Sequence, residues 1–187
     1  MDIVTDRLSL RRLRESDAAD MYRWCRNPAL GDNAGWKPHA SPEESLEVLR
    51  TVFLWQENVW AVELRSGGGL IGTVGLVCDP KRDNPGARML GYWLAEPMWG
   101  RGLMGEAVDA VLRHGFSSLS LALVSAYCYP FNLRSQRLLE RRGFMREGML
   151  RAAGITYDGR CLDELCYVLV REEWQARSGN PAGARPL

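Results

Sequence analysis

The segment Trp99-Gly100-Arg101-Gly102-Leu103-Met104-Gly105 stands between a predicted strand at residues 88–95 and a predicted helix at residues 103–116. Its glycines allow the backbone to approach an anion closely. The N–H groups in the first turn of the helix, at the positive end of the helix dipole, can then hold that anion. The segment therefore predicts a binding site for a phosphate or pyrophosphate group. The simpler alternative is a glycine-rich turn that only ends a strand.

The spacing Gly100-x-Gly102-x-x-Gly105 also matches the dinucleotide-binding fingerprint, but the surrounding sequence argues against that function. The fingerprint requires an acidic residue about 20 positions further on to hold a ribose. No Asp or Glu occurs between Asp109 and Glu140, and the preceding strand ends a predicted antiparallel meander. A Walker-type phosphate loop does not fit either, because no Gly-Lys-Ser/Thr follows the glycines.

Hydrophobic periodicity in the rest of the chain predicts an α/β (α+β) fold. The predicted strands cover residues 7–13, 60–64, 70–78, 88–95, 122–129, 145–155 and 161–171. The predicted helices begin at Ser16-Asp17, at Ser41-Pro42-Glu43-Glu44, at residue 103 and at Asn132, while residues 29–40 are predicted to be a turn-rich loop. The first of these helices is expected to end near Asn27-Pro28. We expect a mixed, mostly antiparallel central sheet of about seven strands, with helices on both faces.

Length and composition indicate one domain at residues 1–174, followed by a disordered tail at residues 175–187. The opening MDIVTDRLSL lacks the apolar run of a signal peptide, and no stretch reaches the ~18 apolar residues of a membrane span. The five cysteines form no CxxC pair, which favours reduced thiols and a cytoplasmic location without a membrane partner.

Charge and residue usage exclude several other functions. The chain carries 24 Lys and Arg against 23 Asp and Glu, with the basic residues scattered, so a nucleic-acid partner is not expected. His39 and His114 are the only histidines, which leaves little material for a His-based metal site or a Ser-His-Asp triad, and both are expected to be structural or surface residues. Cys128 has no evident activating partner in the sequence and is expected to be a buried thiol.

Several segments in order resemble the GNAT superfamily of acetyltransferases, over about residues 5–174. They are Thr5-Asp6-Arg7-Leu8-x-Leu10-Arg11, Leu70-Ile71-Gly72-x-x-Gly75-Leu76, Gly91-Tyr92-Trp93-Leu94, the glycine segment, Asn132-x-x-Ser135, Gly143-Phe144 and Asp158-Gly159-x-x-x-Asp163. Met104 stands where many members carry Gly or Ala, and Met is familiar there in the Rim-type branch of ribosomal-protein N-terminal acetyltransferases. The resemblance implies the GNAT fold, acetyl-CoA as cosubstrate, no metal, and transfer of the acetyl group to a primary amine.

The resemblance also implies the roles of individual residues. Coenzyme A would lie against the glycine segment and Leu94, whose backbone N–H would hold the developing oxyanion at the splayed end of its strand. Asn132 would bond the pantetheine arm, and Ser135 would stand near the coenzyme A sulfur, where its hydroxyl could protonate or stabilise the departing thiolate. Taken alone, Ser135 is an ordinary serine in a first helical turn. The amine would attack directly in a ternary complex, without an enzyme nucleophile.

One departure from the family pattern concerns the general base. Rim-type members often carry a glutamate in the strand after Gly-Phe, and the matching position here is Gly154. A water chain, Glu96 or Asp163-Glu164 could substitute, although each carboxylate has a surface or structural alternative. A protein α-amino group, with a pKa near ~8, needs no strong base. The sequence therefore favours an α-amine or another weakly basic amine over a lysine or polyamine.

The acceptor site is expected between residues 29–40 and the final hairpin, with Trp36, Trp99 and Tyr157 as aromatic walls or, alternatively, as packing residues. The sequence leaves two other functions open. One is a noncatalytic acyl-CoA-binding or regulatory module, suggested by Gly154. The other is transfer of a larger acyl group such as succinyl, for which Arg134 or Arg88 would pair with the extra carboxylate. The oligomeric state is not readable, and the resemblance allows a homodimer.

Overall fold

A computed structural model describes residues 1–179, in which one sheet is covered by helices. Its strands are β1 (Ile3–Val4), β2 (Leu8–Arg11), β3 (Val59–Leu64), β4 (Leu70–Val77), β5 (Ala87–Leu94), β6 (Leu123–Cys128), β7 (Met145–Ile155) and β8 (Cys161–Val170). Its α-helices are α1 (Ala18–Cys25), α2 (Pro28–Ala34), α3 (Pro42–Val48), α4 (Leu103–Arg113), α5 (Leu133–Arg141) and α6 (Arg171–Ser178). Wider helical turns at Leu49–Phe53 and His114–Ser118 continue α3 and α4.

Within residues 1–179 the sheet has eight strands, in the order β1-β2-β3-β4-β5-β6-β8-β7. Neighbouring strands are antiparallel except for β5 and β6, which are parallel and are joined through α4. This confirms the predicted mixed, mostly antiparallel sheet. The strand that the sequence analysis did not predict is β1, a two-residue strand paired with β2.

The parallel pair β5 and β6 separates soon after it begins. Only residues 87–89 of β5 pair with residues 123–125 of β6. Beyond these pairs β5 stays with β4 as far as Leu94, while β6 stays with β8 as far as Cys128. A gap therefore opens in the middle of the sheet, at the carboxyl ends of both strands, where ligands bind in many open α/β sheets.

Two apolar clusters fill the two faces of the sheet. Successive residues of a strand point to opposite faces, so Leu94 packs in the cluster with α4 while Trp93 packs in the cluster with α1. Val108 of α4 belongs to the first cluster and Met21 of α1 to the second, and both side chains are buried. Helices thus cover both faces, as predicted.

The structure corrects the prediction of a loop at residues 29–40, because α2 occupies Pro28–Ala34. The Asn27 side chain accepts a hydrogen bond from the Ala29 N–H at 3.0 Å, and Pro28 takes the first helical position. Asn27-Pro28 follows α1, as predicted, but it also carries the two residue types that begin a helix. Gly35, at a φ of 84°, ends α2 after two turns.

The chain continues as α6 after the last strand, so residues 175–178 of the predicted tail are helical. The prediction for residues 180–187 lies outside the described part of the chain. None of the helices within residues 1–179 combines the length and apolarity needed to cross a bilayer. All five cysteines fall in this described part, and each is a free thiol.

Candidate active site

A cleft of about 660 Å³ occupies the gap between β5 and β6. Residues from β5, β6, the glycine segment, α2 and α5 line it. They are Leu30, Asn33, Ala34, Trp36, Met89 to Leu94, Met98 to Gly100, Gly102 to Met104, Tyr127 to Tyr129, Asn132, Arg134, Ser135, Arg137, Leu138, Arg141, Arg142 and Glu164. The cleft therefore brings together most of the residues that the sequence predicts at the site.

The glycine segment forms one wall of this cleft. Gly100 and Gly102 have φ angles of 73° and 74°, a conformation that side chains with a Cβ rarely adopt. Gly102 immediately precedes α4, so the first N–H groups of an 11-residue helix begin at the cleft wall. Behind the segment, Arg7 donates a hydrogen bond to the Arg101 carbonyl at 2.9 Å and pairs with Glu106. These contacts hold the loop in place against the start of the chain.

Gly105 makes room for an arginine side chain, whereas Gly100 and Gly102 adopt positive φ angles. A Cβ at this position would lie 2.1 Å from Nη2 of Arg142, whose guanidinium also pairs with Asp109 at 3.2 Å. The missing side chain thus lets Arg142 lie across the first turn of α4. Arg134, Arg137 and Arg141 also line the cleft, so its described wall carries four arginines in all. The arrangement suits a phosphate-bearing ligand.

The backbone N–H of Leu94 faces the gap between the separated strands. The Ala95 N–H donates to the Ile71 carbonyl at 2.8 Å, and hydrogen bonding alternates along an antiparallel pair, so Leu94 must direct its N–H and C=O away from β4. The Trp99 indole donates to that Leu94 carbonyl at 2.7 Å. The N–H is consequently directed toward the cleft, as an oxyanion donor requires.

Ser135 lies in the first turn of α5, where the Asn132 side chain accepts a hydrogen bond from its N–H at 3.1 Å. This confirms the predicted helix cap. The Ser135 hydroxyl is 2.7 Å from the Tyr92 hydroxyl, and burial raises the pKa of Tyr92. Tyr92 was not predicted as a site residue. The available signal was its place in the segment Gly91-Tyr92-Trp93-Leu94, two residues before the predicted oxyanion donor Leu94.

The Asn132 side chain is already bonded within the protein. Its amide oxygen holds the Ser135 N–H, and its amide nitrogen donates to the Asn33 carbonyl at 3.0 Å. Asn132 thereby ties α5 to the end of α2. Contact between this side chain and a pantetheine arm stays a prediction.

Cys128 lines the same cleft but is not an activated nucleophile. The residue is 8% exposed, and burial raises the pKa of its thiol to about 11. A thiol with that pKa carries almost no thiolate at neutral pH. The prediction of a buried thiol is confirmed.

The aromatic residues predicted for acceptor binding occupy different places. Trp36 and Trp99 both line the cleft, and the Arg134 guanidinium lies 3.8 Å from the Trp99 ring centroid. Tyr157 is at the tip of the β7–β8 hairpin, where its hydroxyl donates to Asp32 of α2 at 3.2 Å. It bridges the hairpin to α2 and is not among the residues lining the cleft.

The three carboxylates considered as general bases lie in three different places in the structure. Glu96 accepts a hydrogen bond from Asn27 in a smaller depression outside the cleft. Asp163 accepts the Ala152 N–H at 2.8 Å, within the hairpin. Glu164 lines the cleft, and it is the one acidic residue of the described chain to do so. Arg88, considered as a partner for a larger acyl group, donates to carbonyls of residues 85 and 87 instead.

Comparisons with known proteins agree with this geometry. Residues 7–145 match the family described as "Acetyltransferase (GNAT) domain". The uncharacterized N-acetyltransferase YoaA of Bacillus subtilis (strain 168) is 31% identical over 153 residues, covering 80% of this chain and 85% of that protein. The [ribosomal protein uS5]-alanine N-acetyltransferase of Escherichia coli (strain K12) is 33% identical over 85 residues, covering 46% of this chain and 43% of that one. A solved structure described as a putative acetyltransferase superposes with a TM-score of 0.81 at 26% identity, covering 95% and 90% of the two chains.

Proposed function

Because this chain belongs to the GNAT family of acetyltransferases, with a pattern consistent with the Rim-type branch, we propose that it moves the acetyl group of acetyl-CoA to a primary amine. The amine attacks directly within a ternary complex. One observation carries the proposal: a single cleft holds the Leu94 N–H, the Ser135 hydroxyl and the start of α4. These are the groups that a thioester, its leaving thiolate and a pyrophosphate respectively require.

The phosphates of coenzyme A are assigned to the glycine segment and the arginines beside it. Both glycines with positive φ present backbone rather than side chain to the ligand. Arg142, placed over the helix start by the absence of a Cβ on Gly105, adds a positive charge at the positive end of the helix dipole. The acetyl end then extends along the gap toward Ser135.

The chemical step uses two donors at opposite ends of the reacting group. As the amine attacks the thioester carbon, the carbonyl oxygen becomes an oxyanion, which the Leu94 N–H stabilises. The tetrahedral intermediate then breaks its C–S bond, and Ser135 donates its proton to the departing thiolate. The neighbouring Tyr92 hydroxyl stays protonated because burial raises its pKa, so it can return a proton to Ser135.

The acceptor that we propose is a protein N-terminal α-amine or a comparable small-molecule amine with one reacting nitrogen. An α-amine is substantially neutral near its pKa of ~8. Glu164 is the one acidic residue lining the described cleft, against four arginines. A polyamine, which carries several positive charges, would find no second carboxylate in this described lining. The [ribosomal protein uS5]-alanine N-acetyltransferase of Escherichia coli is, by its name, an enzyme of the same chemical type.

A coenzyme-A-release assay tests the proposal. Acetyl-CoA is offered with peptides of varied N-termini, polyamines and aminoglycosides, to the wild type and to Ser135→Ala. We expect turnover on one monoamine class and a fall in kcat of about 10²-fold in the variant, with acetyl-CoA binding retained. Binding without turnover on any amine would instead indicate a noncatalytic acyl-CoA-binding protein. A higher kcat/KM with succinyl-CoA than with acetyl-CoA would indicate a larger acyl group, with Arg134 as its partner.

A further inference from the structure

We infer that Glu164 receives the proton of the acceptor amine. Glu164 lies on β8, the strand next to Gly154 of β7, which is the position where the family pattern places a glutamate. The inference rests on the proposed function and assigns the group that the sequence left open. It depends on three features: the lack of a side chain at Gly154, the ion pair between Glu164 and Lys81, and the position of Glu164 on the cleft wall.

The space beside Gly154 is filled by groups from β8 and from the residue that follows β6. A Cβ on Gly154 would lie 3.3 Å from Oε1 of Glu164 and 3.8 Å from the hydroxyl of Tyr129. Gly154 pairs directly with Leu162, so Glu164, two residues further along β8, shares its face of the sheet. The absence of a side chain on β7 therefore provides room for the carboxylate of β8. A carboxylate is present at this place, but it comes from the neighbouring strand.

An irregularity in β7 produces this arrangement. Leu150 pairs with Glu164 and Gly154 pairs with Leu162, so β7 has two more residues than β8 between these pairs. Ala152, inside the bulge, has a φ of 50°, and its N–H donates to Asp163 at 2.8 Å. The bulge thus shifts Gly154 along the strand until it lies beside Glu164, and Asp163 stabilises the bulge.

Lys81 holds the other oxygen of the carboxylate. Its Nζ forms an ion pair with Oε2 of Glu164 and lies 4.1 Å from the centroid of the Tyr127 ring. The loop that carries Lys81 is fixed by the buried Asp79, which accepts the Lys81 N–H at 2.9 Å and the Ser125 hydroxyl at 2.5 Å. Lys81 is therefore a positioning residue. It holds Oε2 and leaves Oε1 on the side of Gly154 and Tyr129.

The step balances without any further reactant. The neutral amine forms the C–N bond and becomes a positively charged nitrogen in the tetrahedral intermediate. Oε1 of Glu164 accepts one proton from that nitrogen, and the C–S bond breaks as Ser135 protonates the thiolate. Glu164 then releases its proton to solvent, while solvent restores the proton of the Tyr92–Ser135 pair. The products are the acetylated amine and coenzyme A.

The test compares Glu164→Gln with Glu147→Gln, a matched control that removes a carboxylate of the same hairpin paired to Arg82 of the same loop. For Glu164→Gln we expect kcat to fall by about 10²-fold at neutral pH, with unchanged acetyl-CoA binding. The difference in kcat between this variant and the wild type should become smaller as the pH rises, since hydroxide then accepts the proton. Glu147→Gln should retain the wild-type rate and pH profile.

A second pair of variants separates chemistry from folding. Glu164→Ala should lose the same activity, and Glu164→Ala with Gly154→Glu should regain a large part of it, because the carboxylate returns to the cleft from β7. If Glu164→Gln matches Glu147→Gln, this inference is overturned while wild-type turnover keeps the proposed function intact. No turnover by the wild type on any amine would contradict the proposed function and this inference together.

Discussion

The Tyr92 hydroxyl lies 2.7 Å from the Ser135 hydroxyl, across the gap between β5 and the start of α5. Because burial raises the pKa of Tyr92, the pair is neutral, and one hydroxyl must donate to the other. Tyr92 therefore fixes the rotamer of Ser135 and links it to a second proton. Ser135 acts in the proposed reaction as one half of this pair.

Replacing Tyr92 by Phe should lower kcat about tenfold, which corresponds to the loss of one hydrogen bond of about 1–1.5 kcal/mol. The KM for acetyl-CoA should stay unchanged, since the cleft wall keeps its shape. Steady-state kinetics at saturating amine measure this, with Tyr22→Phe as the control, since the Tyr22 hydroxyl donates to the Ala40 carbonyl and Tyr22 is not among the residues lining the cleft. The double variant with Ser135→Ala should be no slower than Ser135→Ala alone, because the two residues act as a unit. Additive losses would show that they act separately.

Replacing Gly105 by Ala should weaken acetyl-CoA binding without destabilising the fold. The new Cβ would displace the Arg142 guanidinium from the helix start. We expect the KM for acetyl-CoA to rise about tenfold, the loss of one charge-assisted hydrogen bond. Ala also favours a helix over Gly by about 1 kcal/mol, so the melting temperature should not fall.

Gly148→Ala is the matched control for this change, since a Cβ there meets no atom within 4 Å. In a double variant with Arg142→Ala, Gly105→Ala should cost little more, because the residue that it displaces is gone. An unchanged KM in Gly105→Ala would mean that Arg142 does not contact coenzyme A.

The cysteines should differ in their reaction with iodoacetamide. Burial raises the pKa of Cys128 to about 11 and that of Cys25 to about 12, so near pH 7.5 neither supplies much thiolate. Cys78 and Cys161 are exposed and should be alkylated first. Labelling of Cys128 should rise about tenfold per pH unit below its pKa, because the thiolate fraction rises by that factor. Peptide mass spectrometry over a pH series measures this. Cys128 reacting as fast as Cys78 near pH 7.5 would contradict the assigned burial.

Local sequence signals predicted the parts of the site that lie within one segment. The glycines of residues 99–105 require positive φ or close packing, and the Asn132 cap needs only its own first turn. Those requirements are visible in a few consecutive residues. Asn27-Pro28 shows the limit of such signals. The same two residues follow one helix and begin the next, so the sequence alone did not reveal α2.

Relationships between distant segments could not be predicted. The Tyr92–Ser135 contact joins residues 43 positions apart, and the Lys81–Glu164 pair joins residues 83 positions apart. Glu164 was considered as a base, but its position beside Gly154 depends on the register of β7 against β8. Two extra residues within a strand leave its hydrophobic pattern readable while they shift every contact beyond them.

The bulge in β7 has a further consequence for the molecule in a crowded solution. In the described chain β7 ends the sheet order and is paired only with β8, so its outer side presents unpaired backbone groups. A straight edge of this kind is a template on which another chain can add a strand and begin to aggregate. The two extra residues and the left-handed Ala152 interrupt that template near its middle. The irregularity that places Gly154 beside Glu164 thus also hinders edge-to-edge association of neighbouring molecules.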